Sequence, residues 1–466
     1  MDWIVPVPIL LLFTFMIILV LKTVSSWNNS SQLLPPGPLC LPLVGNLLIM
    51  DQKRPYTTMV KENGLRLNPD KMEVLRVGVT LVSAWGSIWT RRIGFSHGEN
   101  WKVMRRFAIT TLRDYGMGKR TIEDKIVEEC NVLIKTFESH EGKPFETITI
   151  MNAAVANIIV SILLGKRFKY EDPTFQRLLQ LINENVHLLG SPSVMLYNMF
   201  PALGFLFGAR KIILNNRDEL HAYITATFLN HIEDLDKNDQ RSLIDTFLIQ
   251  QQENGGYFHK ENLKSLMVDL FSAGMETTSS TLCWGILLMM KYPEIQKKVQ
   301  AEIDNVVGPV QPMIEHRIRM PYTDAVVHEV QRFRDILPTN LPRTTTVDVT
   351  LKGYFIPKGT HVIPLLTSVL HDESQWEKPH EFYPEHFLDS SGKFVKRDAF
   401  MPFSAGRRMC AGENLAKMEL FLFFTSLLQR FTFQPPPGTS KEDLDLTRAV
   451  GLTTPPMPFH ICALPR

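Results

Sequence analysis

FSAGRRMCAG, residues Phe403 to Gly412, is the stretch on which the reading of this 466-residue chain turns. It places Cys410 in a loop rich in glycine and arginine, directly ahead of an amphipathic run from Glu413 to about Arg430. A thiol at a helix N-terminus meets free backbone N–H groups and the positive end of the helix dipole, which favour the thiolate. Gly406 and Gly412 permit tight turns, and Gly412 leaves room for a bulky flat group to lie against the loop. Arg408, two residues before the cysteine, can pair with a carboxylate on that group. A lone cysteine is otherwise most often a small core residue. A thiolate that accepts N–H bonds and ligates a haem iron accounts for the whole stretch, because such a ligand pushes electron density towards O–O cleavage.

The stretch fits F-x-x-G-x-R-x-C-x-G at Phe403, Gly406, Arg408, Cys410 and Gly412. It resembles the haem-binding signature of the cytochrome P450 superfamily. That resemblance implies a mainly α fold with a small β-rich lobe, built around haem b (iron protoporphyrin IX) and joined to an N-terminal single-span membrane anchor.

Composition sets the outer bounds. A chain of 466 residues has room for about two or three average domains, or for one large α-rich unit. Hydrophobic residues make up 44% of it, ample for a large core. Lys+Arg 50 against Asp+Glu 48 is close to balance, so no global charge points to nucleic acid. The cysteines, Cys40, Cys130, Cys283, Cys410 and Cys462, are odd in number and lack C-x-x-C spacing. They argue for a reducing compartment and against a disulfide framework or a zinc site. With no P-loop, no H-E-x-x-H and no G-x-G-x-x-G after a strand, redox chemistry would need electrons from another protein.

Ile4 to Leu21 is a run of eighteen uncharged residues, just long enough to span a bilayer. A cleaved signal peptide is the competing reading. Asp2 before the run and Lys22 after it leave out the basic n-region such a peptide needs, and leave the bulk of the chain on the cytosolic side. The expectation is an anchor at residues 1–22 in the endoplasmic reticulum membrane. A linker and hinge follow at 23–45, with Pro35, Pro36 and Pro38 stiffening the chain. The catalytic unit then occupies 46–466. Within it, residues 64–92 are short and poorly patterned compared with what the resemblance implies for that region.

Further along, Trp101 and Arg105 lie at i and i+4, on one helix face. By resemblance to the family's W-x-x-x-R helix, both reach a haem propionate, and Arg343 matches a position that does the same. Basic residues Lys102, Arg106, Lys119, Arg120, Lys125, Arg407 and Lys417 suggest a positive docking face for an acidic flavoprotein, although most such runs are only solvated faces. Residues 119 to 250 show helical spacing, interrupted by the apolar run Val194 to Gly208, read as a second membrane contact rather than a core segment.

Lys260 to Met290 reads as one helix of about thirty residues, roughly 45 Å long. Its middle, Ala273-Gly274-Met275-Glu276-Thr277-Thr278, is unusual for a helix interior, since glycine costs about 1 kcal/mol there. Thr277 can bond back to the carbonyl of Ala273 and loosen the ladder. AGMETT resembles the family's distal oxygen-activation motif. This implies that Ala273 and Gly274 border the haem, while Thr277 and Glu276 relay protons. Glu329 and Arg332, at i and i+3, resemble the family's E-x-x-R pair, completed here by His386 into a structural network. Residues 344 to 366 alternate and turn as hairpins, and the tail closes as another whose tip, Gly451-Leu452-Thr453, points into the pocket.

The resemblance covers about residue 97 to the end, with the hinge added, and is to microsomal vertebrate family 2 members. It implies an NADPH- and O2-dependent monooxygenase hydroxylating or epoxidising apolar small molecules such as fatty acids, steroids or xenobiotics. The partners it implies are NADPH-cytochrome P450 reductase and cytochrome b5. Phe271, Ala273, Leu337, Leu341 and Leu452 are the expected pocket. Two other classes remain open on the sequence: an inactive variant crippled by the short 64–92 region, and a reductase-independent haem-thiolate isomerase.

Overall fold

The computed structural model describes residues 96–199, 208–233, 235–236 and 239–466, with Asp51, Thr57 and Gly94 as single positions. The expected anchor, the proline hinge and all of 64–92 lie outside the described residues. Among those described, no helix is long and apolar enough to cross a membrane.

In chain order the helices are α1 Gly98–Asp114, α2 Arg120–Glu138, α3 Ile148–Leu164, α4 Pro173–Leu189, α5 Pro192–Met199 and α6 Gly208–Glu233. They continue as α7 Leu243–Asn254, α8 Lys260–Lys291, α9 Pro293–Val306, α10 Pro321–Phe333, α11 Leu366–Leu370 and α12 Glu413–Arg430. The strands are β1 Phe145–Glu146, β2 Arg343–Thr344, β3 Val349–Leu351, β4 Tyr354–Ile356, β5 His361–Val362, β6 Phe431–Gln434 and β7 His460–Pro465. Among the described residues the architecture is thus predominantly helical with three small antiparallel sheets.

Helix α8, at 32 residues, is the axis of the core. Its second half, Leu282 to Met290, is buried on every face, so it has no polar stripe to present to water. Its main partner is α3, predominantly apolar and buried from Met151 to Leu164 apart from Ser161. The two approach closely at Gly274, where a Cβ would stand 2.5 Å from Ile159 Cδ1. Gly274 therefore lets two helices meet as well as lining the cavity described below. Helix α12 closes the other side, packing on α2, α8 and α9.

Local signals set several ends. Asp172 accepts from the amides of Thr174 and Phe175 ahead of α4, with Pro173 in the first turn. Ser242 accepts from Asp245 N–H ahead of α7. Each cap is worth about 1 kcal/mol. The β3–β4 hairpin turns through Lys352 and Gly353, both at positive φ (48° and 83°), the pairing that a two-residue hairpin requires. β7 runs between β1 and β6, with Ile461 opposite Phe145 and Ala463 opposite Phe433.

Of the apolar segment Val194 to Gly208, only the start is described. Val194 and Tyr197 are buried against protein, Val194 in a cluster with Ala209 and Ile213, because the start of α6 folds back over α5. Residues 200–207 lie outside the described set.

Candidate active site

A cavity of about 400 Å3 opens between the middle of α8, the segment after α10, the cysteine loop and the tail hairpin. Most of the residues expected to face a cofactor or substrate line it. They are Trp101, Arg105, Ala273, Gly274, Glu276, Thr277, Leu337, Leu341, Arg343, Phe403, Arg408, Cys410, Gly412 and Leu452. Phe271 does not. It faces a separate small apolar cavity with Leu178, Ile224 and Met267. At 100° per residue, Phe271 lies about 200° round the helix from Ala273, on the far face.

The cysteine loop is held by its own backbone. Cys410 N–H donates to Phe403 O at 2.9 Å, and Met409 N–H to Gly406 O at 3.1 Å, with Gly406 at φ 73°. Ser404 also has a positive φ of 63°, and its hydroxyl accepts from Asn340 Nδ2 at 2.8 Å, tying the loop to the segment after α10. Cys410 is open to the cavity and enclosed by protein elsewhere. Enclosure pushes its thiol above the ordinary value, while the Gly412 amide and Arg105 pull it down. Desolvation of the anion opposes the help from the N–H and the cation, and a bound cation would offset it.

Three guanidinium groups share this wall. Arg105 Nη2 donates to Met409 O at 2.6 Å. Arg408 Nη2 donates to Ser96 O at 2.8 Å, and its guanidinium lies 3.8 Å from the centre of the Trp101 ring. Arg343 is placed by the pairing of β2 with β5. Burial, then the charges of Arg343 and Arg105, bring Arg408 down to about 10. The indole Nε1 of Trp101 is buried and has no hydrogen-bond partner among the described residues. An ideal Cβ on Gly412 would meet nothing within 4 Å. These features fit a flat apolar body with two carboxylates. The guanidinium cluster and the orphan indole N–H suit the anionic edge, the open space at Gly412 suits the ring, and the cysteine is a soft metal donor.

Across the cavity, Thr277 Oγ1 donates to Ala273 O at 2.6 Å. Glu276 is buried, and its Oε1 accepts from Ser280 Oγ at 3.2 Å and Thr453 Oγ1 at 3.0 Å. Burial pushes its carboxyl up to about 7, against the pull of those two hydroxyls. Among the described residues no hydrogen bond joins Glu276 to Thr277. The next residue, Thr278, donates to Glu419 Oε2 at 3.1 Å, and Glu419, fully buried, is pushed up to about 8.

Away from the cavity, Glu329, Arg332 and His386 meet as a closed network. Arg332 donates to both carboxylate oxygens of Glu329 at 2.8 and 2.7 Å, and His386 Nδ1 lies 3.2 Å from Glu329 Oε2. Of the expected basic face, Lys125 instead turns inward to Ser161 O at 3.4 Å, bridging α2 and α3. Lys102 pairs with Glu99 and Lys417 with Glu413.

Sequence reasoning named Thr453 only as part of the hairpin tip, and it missed Asn340 and Glu419. Glu419 had a legible signal, as a single acid inside the apolar run Met418 to Phe424.

A cysteine loop facing the middle of a long helix across one cavity defines a haem-thiolate oxygenase site. The chain belongs to the cytochrome P450 family, whose model matches residues 86–463. It is 47% identical to cytochrome P450 2K1 of Oncorhynchus mykiss, over 97% of this chain and 96% of that protein. It is 42% identical to cytochrome P450 2C5 of Oryctolagus cuniculus (98% and 99%) and to cytochrome P450 2J2 of Homo sapiens (93% and 91%). It is thus a monooxygenase of the family 2 type, in a family that uses haem b with electrons from NADPH through a reductase. The alignments to 2K1 and 2C5 span 482 and 487 positions, longer than the chain, so those relatives carry residues this chain lacks.

Proposed function

We propose that this protein hydroxylates or epoxidises apolar small molecules, taking electrons from NADPH-cytochrome P450 reductase, with cytochrome b5 as a second carrier. The observation that carries the reading is convergence: Cys410, the three arginines and the Glu276–Thr277 pair all open on one cavity whose remaining wall is largely apolar. Haem b held there supplies reductive O2 activation and the insertion of one oxygen atom into substrate.

The chain's own residues do the rest. Cys410 Sγ is the one thiol among the described lining residues and opens on the cavity as the soft anionic donor. Arg105, Arg343, Arg408 and Trp101 hold the two carboxylates, relieving the mutual repulsion of the guanidiniums. Leu337, Leu341, Leu452 and Ala273 orient an apolar substrate and exclude water. Thr277, whose hydroxyl proton is committed to Ala273 O, presents its lone pairs to the cavity and accepts a hydrogen bond there from a proton donor. Glu276, near 7, both takes up and releases a proton at neutral pH.

The proposal also has residues 1–22 anchoring the chain to the endoplasmic reticulum, 23–45 as linker and hinge, and the catalytic unit 46–466 in the cytosol. Arg106, Lys119, Arg120 and Arg407 supply the docking face for the reductase. The test is turnover of an apolar substrate panel by the full chain with NADPH and added reductase under isotope-labelled O2. One labelled oxygen per product, absent without reductase, supports the reading. Product formed without reductase favours the isomerase class, and no product together with no haem uptake favours the inactive one.

A further inference from the structure

The tail hairpin touches the cavity through a tip that is fixed from three directions. Leu452 N–H donates to Val186 O of α4 at 2.9 Å, and Thr454 N–H donates to Ile336 O at 2.8 Å. Trp284 Nε1, on α8, donates to Thr454 O at 3.0 Å. Gly451 lies backbone to backbone on Gly190, the residue after α4. A Cβ on Gly190 would stand 2.0 Å from the Gly451 carbonyl carbon, a contact no rotamer can relieve. Between these anchors sits Thr453, 4% exposed, whose hydroxyl reaches Glu276.

Resting on the reading of Glu276 as a proton carrier, we propose that Thr453 is a positioning residue that holds the Glu276 carboxyl turned away from Thr277. Through the Gly190–Gly451 contact, that grip depends on where α4 sits. Helix α4 contributes Ile182, Asn185, Val186 and Leu189 to the cavity, so a substrate that moves this roof moves the tip with it. An O–H donor favours the charged form of the oxygen it meets. Losing Thr453 leaves Ser280 alone on Oε1, so the carboxyl binds its proton more tightly and is free to swing. Among the described residues no charged side chain acts on Glu276. Cys283, further along α8, is the thiol it influences in turn.

The experiment compares holoenzyme of the wild type with Glu276→Gln, Thr453→Val, Thr453→Ser and Gly190→Ala, each first checked for an intact thiolate spectrum. Two quantities are followed against pH: peroxide released per product, and the infrared carbonyl band of a protonated carboxyl. Thr453→Val should move the midpoint of that band upward by about one pH unit and raise peroxide several-fold. Thr453→Ser should restore both, Gly190→Ala should copy Thr453→Val, and Glu276→Gln should abolish the component of the band that titrates near 7, leaving the one that belongs to Glu419. A wild-type midpoint in Thr453→Val, with coupling lost in Glu276→Gln, overturns the positioning role while the proton-carrier reading stands. Unchanged coupling in Glu276→Gln overturns both. A shifted Thr453→Val beside an unshifted Gly190→Ala overturns the link to α4. If valine is not tolerated, Thr453→Ala carries the same expectation.

Discussion

Two sites in this molecule are built around arginine, one fully buried at Arg332 and one half-buried at Arg105, Arg343 and Arg408, and they are built on opposite terms. Around Arg332 every donor is spent. Besides Glu329 it reaches the carbonyls of Leu370, Pro379 and Glu381 at 2.8–2.9 Å. Glu329 also accepts from Tyr383 N–H at 2.9 Å, and His386 Nε2 accepts from Lys378 N–H at 3.1 Å. That acceptor role places the imidazole proton on Nδ1, pointing at Glu329. Around Arg408, three guanidiniums crowd one wall and repel one another beside an unpartnered indole N–H. The first cluster is complete within the protein. The second turns its like charges towards the cavity, where an anionic ligand would balance them. Buried polar groups that are all paired hold a fold together, and those left facing a cavity mark where something else binds.

Removing a partner from the closed cluster should have the largest effect. Arg332→Ala strands a fully buried Glu329 and should cost about 3–5 kcal/mol of stability, read by denaturant unfolding of the holoprotein. A loss under 1 kcal/mol would erase the contrast between the clusters. Next comes pH. Glu419 and Glu276 have folded values near 8 and 7, well above their ordinary 4.5. Between those limits the folded chain holds protons that the unfolded chain has released, so stability falls as pH rises. Unfolding midpoints measured from pH 5 to 8 should decline in the wild type, and Glu419→Gln should flatten part of the slope. An unchanged slope would show that this wall is less desolvated than it is drawn here.

Arg408→Ala sharpens the comparison because its main effect should fall on the ligand. Relief of like-charge repulsion offsets the lost bond to Ser96 and the lost stacking on Trp101, while cofactor binding weakens by about 1.5–3 kcal/mol. Haem loss to a scavenger protein measures the second, and equal retention would remove Arg408 from the carboxylate site. The smallest effect falls at the helix crossing. Gly274→Ala gains about 1 kcal/mol of helix propensity but drives a Cβ into Ile159, an overpacking cost of about 1–3 kcal/mol. The net loss should shrink in the background of Ile159→Val, a coupling that a double-mutant cycle measures.

Much of this was legible in the sequence, and the reasons are local. The cysteine loop, the W-x-x-x-R face and the long central helix depend on residues within a few turns of one another. The misplacement of Phe271 was local too, since its two-residue offset from Ala273 puts it on the opposite face. What stayed hidden was set by tertiary contact. Thr453 reaches Glu276 across 177 residues, and Asn340 meets Ser404 across 64. At Cys410 the helix terminus can be read from sequence, whereas the desolvation that opposes it cannot. The same holds for Lys125, whose basic charge in a run of bases gave no sign that α3 would offer it a carbonyl.

The central claim is that Cys410 is the iron ligand of a haem held by the open cluster. The carbon-monoxide difference spectrum of the reduced full-length protein tests it most directly. The account predicts the strongly red-shifted Soret band of a thiolate-ligated haem, lost in Cys410→Ala. Haem uptake without that shift, or the same band persisting in Cys410→Ala, would contradict it.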